Sequence, residues 1–229
     1  MISNMTKTQT KELRVEEART KLIAEHRGED LTFLHPSYGP DTYFNVRDSI
    51  QNAGLSLPTM AETASLVYTA FNSEDKYSKE VKQILQDRWL WAFDKNLYTS
   101  KGVYIYPELI SNREDLEESE LVKKLEANDK SIRFVPFGFK TESMTSMELA
   151  KNAYLKALAG DEGAEKLAEI ADKFENKPYL WALTSVNQPE TRVSAVGSYR
   201  DFDLRLSVDG YGRGGRVGHA FGVRKGGIG

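Results

Sequence analysis

Apolar residues recur at helical spacing through the first half of this chain and at every second position near its end, and the two periods predict different elements. From Thr10 to His26, Leu13, Val15, Ala18, Leu22 and Ile23 fall at intervals of roughly 3.6 residues, which predicts an amphipathic helix. Residues 1–9 are polar and are expected to fray. Leu31 to Leu34 predicts a short strand, stopped by Pro36 and Gly39-Pro40. Tyr43 to Asn52 predicts a helix with Gly54 just past its end. Thr59 and Glu62 form a capping box, with Pro58 just ahead of it. The helix they open should run to about Phe71 and bury Ala64, Leu66, Val67 and Ala70. Ser78 to Arg88 predicts a second short helix. Trp89 to Phe93, Tyr98, and Val103 to Tyr106 predict a hairpin of aromatic-rich strands.

Residues 107–130 are strongly charged and predict a peripheral helix, followed by a strand over Ile132 to Phe139. Thr145 and Glu148 repeat the capping box and open a helix to Leu158, Gly160 breaks it, and Asp161 to Glu175 forms another. Tyr179 to Thr184 predicts a strand. Three more follow after Pro189, at Val193 to Val196, Asp203 to Asp209 and Ala220 to Val223, joined by glycine-rich turns. In the middle one Leu204, Leu206 and Val208 alternate with Asp203, Arg205, Ser207 and Asp209, which predicts aliphatics in a core beneath an exposed polar set. The fold class is α+β, with flanking helices, a small antiparallel sheet toward the end and an apparent helical insertion over residues 107–176. Residues 1–28 read as an N-terminal helical extension and 29–229 as one domain, a length that can bury a sizeable core.

Composition adds a sharp break. Lys, Glu, Gln, Met and Trp account for 52 of the 229 residues, yet none occurs from Thr191 to Arg224, a stretch that holds six Arg. Ten of the 17 Gly lie between Gly197 and Gly229. The net charge of -3 hides an asymmetry, since residues 191–229 carry +4 and the first 190 carry -7. A basic end on an acidic body favours an acidic partner surface or a polyanion. Cysteine is absent, which excludes disulfides, thiolate metal sites and Cys nucleophiles. No apolar run reaches the ~18 residues of a membrane span, and Met1 to Arg27 lacks an apolar signal core. The expected location is therefore cytoplasmic or particle-associated, without a membrane.

Candidate chemistry is sparse. Gly210, Gly212 and Gly215 match the dinucleotide-binding glycine pattern, but a strand-like stretch follows where a helix is needed, so a flexible glycine loop between strands is the expectation. Arg213-Gly214-Gly215, flanked by Tyr211 and Arg216, is a single copy of a motif that nucleic-acid-binding segments repeat many times. His26, His35 and His219 lie far apart and offer no ligand spacing for a metal. The carboxylates over residues 114–120 read as a solvated face, and no serine sits in a nucleophile elbow. The expectation is a non-enzyme without cofactor or metal.

At three places the chain resembles C-type-lectin-fold proteins of the formylglycine-generating-enzyme branch, and more narrowly the variable proteins of diversity-generating retroelements. Leu57 to Glu62 resembles the helix start near the beginning of such domains, Trp89 to Tyr106 their central aromatic hairpin, and Ala220 to Arg224 their closing strand, over residues ~30–106 and ~179–225 in all. The helical stretch 107–176 has no counterpart in it. The resemblance implies a C-type lectin fold and a variable region over about 191–224. In such elements adenines of a template are replaced at random, mostly in Asn-type codons ending in a pyrimidine, which cannot become Lys, Glu, Gln, Met or Trp. A glycine-rich strand and loop would also lack those residues. Formylglycine generation needs cysteine and is excluded. Gln188-Pro189-Glu190 comes close to the calcium-lectin triplet, but no Trp-Asn-Asp follows, and it reads as a turn.

The function expected is that of a binding protein whose C-terminal face is diversified by a retroelement to recognise varied ligands, a protein first among them. The alternative is a nucleic-acid-binding module using the basic Gly/Arg-rich segment. The candidate face comprises Ser198, Tyr199, Arg200, Asp201, Asp203, Arg205, Ser207, Asp209, Tyr211, Arg213, Arg216 and His219, with Tyr199 and Tyr211 as aromatic anchors and Leu204, Leu206, Val208 and Phe221 as core.

Overall fold

The computed structural model describes residues 20–111, 115–198 and 204–225. Within it Leu22 and Ala24, two residues apart, point to one side of a strand. The helix expected up to His26 is absent there, and β1 (Lys21–His26) instead forms a hairpin with β2 (Glu29–Leu34). The local reason is the two-residue turn Arg27-Gly28, with φ of 53° and 78°, a pair of left-handed conformations that joins antiparallel strands tightly. The part of that helix from Thr10 to residue 19 lies outside the described residues.

After β3 (Tyr38–Asp41) the chain enters α1 (Tyr43–Asn52) and then α2 (Met60–Phe71). The capping box is formed in full: Thr59 Oγ1 accepts from the Glu62 amide and the Glu62 carboxylate accepts from the Thr59 amide. Asp94 reinforces this helix start from a neighbouring strand, its Oδ2 accepting from the Met60 amide at 2.5 Å. α3 (Lys76–Asp87) is capped by Asp75, and the aromatic hairpin follows as β4 (Trp89–Thr99) and β5 (Gly102–Pro107). The charged stretch supplies a short 3-10 turn at Glu108–Ser111 and then α4 (Glu118–Glu126). The strand expected over Ile132 to Phe139 is confined to β6 (Arg133–Pro136), with β7 (Glu142–Ser143) after it.

The helix opened by Thr145 is shorter than expected. α5 (Ser146–Ala150) stops because Asn152 caps a new helix, its Oδ1 accepting from the amides of Tyr154 and Leu155. α6 (Ala153–Ala171) then runs through the anticipated break, where Gly160 takes a φ of 74° and kinks it. β8 (Tyr179–Trp181), β9 (Glu190–Gly197), β10 (Ser207–Gly212), β11 (Gly218–Ala220) and β12 (Val223–Arg224) complete the order.

Among the described residues the main sheet runs β3-β11-β4-β9-β10-β8-β7, with β5 pairing β4 and β6 pairing β5. β9 is antiparallel to both β4 and β10, and β10 is parallel to β8. A small second sheet, β1-β2-β12, ties the C-terminal strand to the start of the domain through Val223 against Phe33. Both faces of the main sheet are covered. On one face, Leu90, Val196, Leu206 and Val208 join Ala64 and Val67 of α2 and Tyr154, Leu158 and Leu167 of α6 in the largest apolar cluster. On the other, Trp89, Trp91 and Phe93 pack with Tyr43, Val46 and Ile50 of α1. Of the helices within residues 107–176, α5 and α6 join this main core, while α4 packs Leu121 into a separate cluster with Leu97, Tyr104 and Tyr106. Among the described residues no helix is long and apolar enough to cross a membrane.

Candidate binding face

β10 lies inside the sheet, between β9 and β8, and that decides which of its side chains can meet a ligand. Leu206 and Val208 point into the main core as expected. Ser207 and Asp209 point to the opposite face, but that face is also covered: Ser207 is 1 % and Asp209 4 % exposed. Their cross-strand partners are Gly197 and Ala195, whose own face is occupied by Trp89 and Trp91. Ser198 is likewise buried, and its amide donates to the Leu85 carbonyl oxygen. These three were expected at the surface, and the reason they are not is that a sheet with layers on both sides buries both parities of a central strand.

Leu204 is the converse. It is 47 % exposed, with a φ of 46°. A left-handed residue cannot continue a strand, so the ladder starts at Ser207 and Leu204 does not join the core. Phe221 is buried as anticipated. Gly210 and Gly212, read as a flexible loop, lie in β10 around a register irregularity. Tyr199, Arg200, Asp201 and Asp203 fall outside the described residues.

Four of the anticipated residues reach the surface, fully or in part. Arg205 and Tyr211 are half-buried, while Arg213 and Arg216 are exposed. The Arg205 guanidinium lies 4.7 Å from the centre of the Tyr179 ring. Tyr179 packs on Trp181 at 4.2 Å between ring centres, and Trp181 meets Tyr211 at 6.1 Å. Arg205, Tyr179, Trp181 and Tyr211 therefore form one continuous strip, all partly exposed. Tyr179 and Trp181 escaped the sequence reading, although their spacing around the buried Leu180 is the period-two signal that puts both rings on one face.

The loop beyond β10 folds back over the sheet. Arg216 sits 5.7 Å from the centre of the Trp89 ring and 3.9 Å from Asp209 Oδ2. Gly214 accepts from the Tyr43 amide through its carbonyl oxygen. His219 is half-buried, with Nδ1 3.0 Å from Ser37 Oγ, and burial lowers its pKa. Among the described residues the buried hydroxyls Ser198 Oγ and Ser207 Oγ have no hydrogen-bond partner.

Burial pushes the Asp209 carboxyl up to about 6, against the lowering effects of the Tyr211 amide and Arg216. A carboxyl whose folded pKa is raised contributes stability below the unfolded value near ~4 and loses it as pH rises through the folded value. Asp209→Asn should therefore gain on the parent protein as pH rises from about 4.5 to about 7.5, by roughly 1–3 kcal/mol. Urea unfolding of both proteins at the two pH values reads this directly. An advantage that does not grow with pH would show that Asp209 is not held protonated by the fold. The depressed carboxyl of Glu148, at about 2, is common to both proteins and cancels in the difference.

No protein-family model and no curated protein matches the sequence. A solved Nanoarchaeota structure, described as accommodation of massive sequence variation by the C-type lectin fold, is similar over 87% of this chain and 100% of its own, with a TM-score of 0.55 and 17% sequence identity. At that identity the likeness speaks to architecture alone, and the architecture is an α+β C-type lectin fold.

Proposed function

We propose that this protein is a non-enzymatic binding protein whose C-terminal face recognises a protein ligand and is diversified by a retroelement. The observation that carries the reading is the strip of Arg205, Tyr179, Trp181 and Tyr211, with Arg213 and Arg216 exposed in the stretch that follows Tyr211. Arg, Tyr and Trp are the residue types that dominate binding hot spots, because each offers a large contact with a polar tip at small entropic cost. The residues of the strip and of the loop after it lie at strand ends and in a loop around a buried core, where side chains change with little effect on folding. Support also comes from the composition break over residues 191–224 and from the similarity to a fold described as accommodating massive variation.

The coding DNA for residues 195–219 tests the diversification. A nearby near-copy is expected, differing only where the copy has adenine, together with a reverse transcriptase gene. Sibling genes that differ evenly across all codon positions would overturn the diversification. Binding to single-stranded nucleic acid with a steep salt dependence would replace protein recognition by the alternative, in which Arg205, Arg213 and Arg216 track a phosphate backbone.

A further inference from the structure

The aromatic strip spans the composition break. Tyr179 and Trp181 precede residue 191, whereas Arg205 and Tyr211 lie within the stretch 191–224. The two pairs meet because β8 and β10 run parallel, with Tyr179 beside Ser207 and Trp181 beside Asp209. All four side chains are partly exposed. Together they offer three rings and one cation. Arg205 makes no ion pair among the described residues, and its Nε has no hydrogen-bond partner among them. The Tyr179 and Tyr211 hydroxyls make no hydrogen bond among the described residues either.

These features narrow the ligand. Strand addition is disfavoured beside the strip: the strand beyond β8 is β7, two residues long, and its Glu142 takes a left-handed φ of 67°, so the edge offers no ladder for a further strand. A run of stacked bases is a poor match, because successive rings are tilted by 38° and 42° whereas bases in a stack are parallel. A polyproline II segment meets both conditions. Its threefold turn faces successive side chains in different directions, and each turn rises roughly 9 Å, close to the two ring-to-ring steps of 4.2 Å and 6.1 Å. It makes no internal hydrogen bonds, so its carbonyl oxygens can accept from the two tyrosine hydroxyls. Aromatic surfaces recognise such segments because the ligand is ordered before it binds. Arg205 sets the charge, since a guanidinium resting on a ring without a carboxylate of its own pairs well with an acidic side chain. The +4 balance of residues 191–229 acts in the same direction.

We propose that the strip binds an extended proline-rich segment of a partner protein, which carries an acidic residue for Arg205. This rests on the binding role proposed above and divides it between two pairs of residues. Tyr179 and Trp181, outside the variable stretch, hold the proline-rich backbone. Arg205 and Tyr211, inside it, choose the side chains that flank the prolines. Diversification then changes which proline-rich segment is bound and keeps the class of ligand.

Fluorescence polarisation of the full chain with labelled octapeptides tests this. The probe is proline throughout except for two glutamates three residues apart, which share one face of a polyproline II helix. It is expected to bind with a Kd on the order of 100 μM, and the same peptide with glutamine for glutamate about tenfold more weakly. Arg205→Gln should weaken the glutamate peptide about tenfold and leave the glutamine peptide unchanged. Tyr211→Ala should weaken both peptides about tenfold. If that protein does not fold, Tyr211→Phe, which keeps the ring against Trp181, should still weaken both by about threefold through the lost hydroxyl. No saturation up to about 5 mM, equal affinity for the two peptides, or an Arg205→Gln protein that binds the glutamate peptide like the parent overturns the proposal. A thymidine octanucleotide that binds more tightly than the glutamate peptide, with a steep salt dependence, overturns it as well. Failure here leaves the coding-DNA comparison standing and the face open to another kind of protein ligand. An even spread of differences among sibling genes removes the diversification and leaves the peptide result untouched.

Discussion

Glu108→Ala is expected to destabilise the protein by about 3–5 kcal/mol, a fall of roughly 10 °C or more in melting temperature. Glu108 is 2% exposed and sits between the almost fully buried Lys95 and Arg47. Removing it leaves two cations inside the protein whose remaining ion-pair partners among the described residues are Asp115 and Asp48, 58% and 41% exposed. Exposed carboxylates are screened by water, so they offset little of a buried positive charge. The Tyr43 hydroxyl loses its acceptor as well. Asp115→Ala and Asp48→Ala provide the contrast, each within about 1 kcal/mol of the parent. Thermal melts of the three variants decide the matter: if Glu108→Ala melts no lower than Asp115→Ala, the buried cluster does not hold this corner together.

Gly210→Ala should cost about 3 kcal/mol, while Gly215→Ala, five residues on, should stay within about 0.5 kcal/mol. A methyl group at Gly210 would overlap the Tyr154 hydroxyl and ring, whereas one at Gly215 meets nothing within 4 Å among the described residues. Tyr154 cannot move aside freely. Its hydroxyl donates to Asn96 Oδ1 at 2.8 Å and lies 3.3 Å from the Tyr98 hydroxyl, which donates to the Gly210 carbonyl oxygen at 3.0 Å. Asn96 in turn donates to Ser194 Oγ at 2.8 Å. The network joins β4, β9, β10 and α6 inside the core, where displaced polar groups find no water. Because Gly210 and Tyr154 touch, Gly210→Ala with Tyr154→Ala should lose less than the two single changes added together. Strict additivity in denaturant unfolding would mean the contact is not what excludes a side chain at residue 210.

The elements that the sequence made legible are those with a local cause. The Thr59–Glu62 box, the helix it opens, and the aromatic hairpin from Trp89 to Tyr106 all form as their residues dictate. The misreadings have one local and one tertiary cause. The helix expected up to His26 is replaced by a strand over Lys21–His26, because Arg27-Gly28 turns the chain and Leu22 and Ala24 share one side of a strand paired with β2. The alternation at Leu206 and Val208 was sound, yet it does not reveal that a second layer covers the other parity, and so Ser207 and Asp209 looked exposed. Arg205, Tyr211, Arg213 and Arg216 could be named from the sequence, whereas Tyr179 and Trp181 entered the strip only once β8 was seen beside β10. Nothing in the sequence places Lys95 opposite Val193, because strand register, not spacing, brings them together.

The pairing of Val223 with Phe33 and Ser56 has a consequence for how the chain folds. It joins segments from nearly opposite ends of the described chain, and β11 inserts between β3 and β4 in the same way. Contacts of such long sequence separation form late and slow the folding rate. On the ribosome, β2 and the first part of β4 must wait with open edges until Val223 has been made, and an open strand edge is a template for pairing with another chain. Whatever changes at the rim between Arg205 and Arg216, the aggregation hazard during synthesis is set by how quickly Gly218 to Arg224 docks.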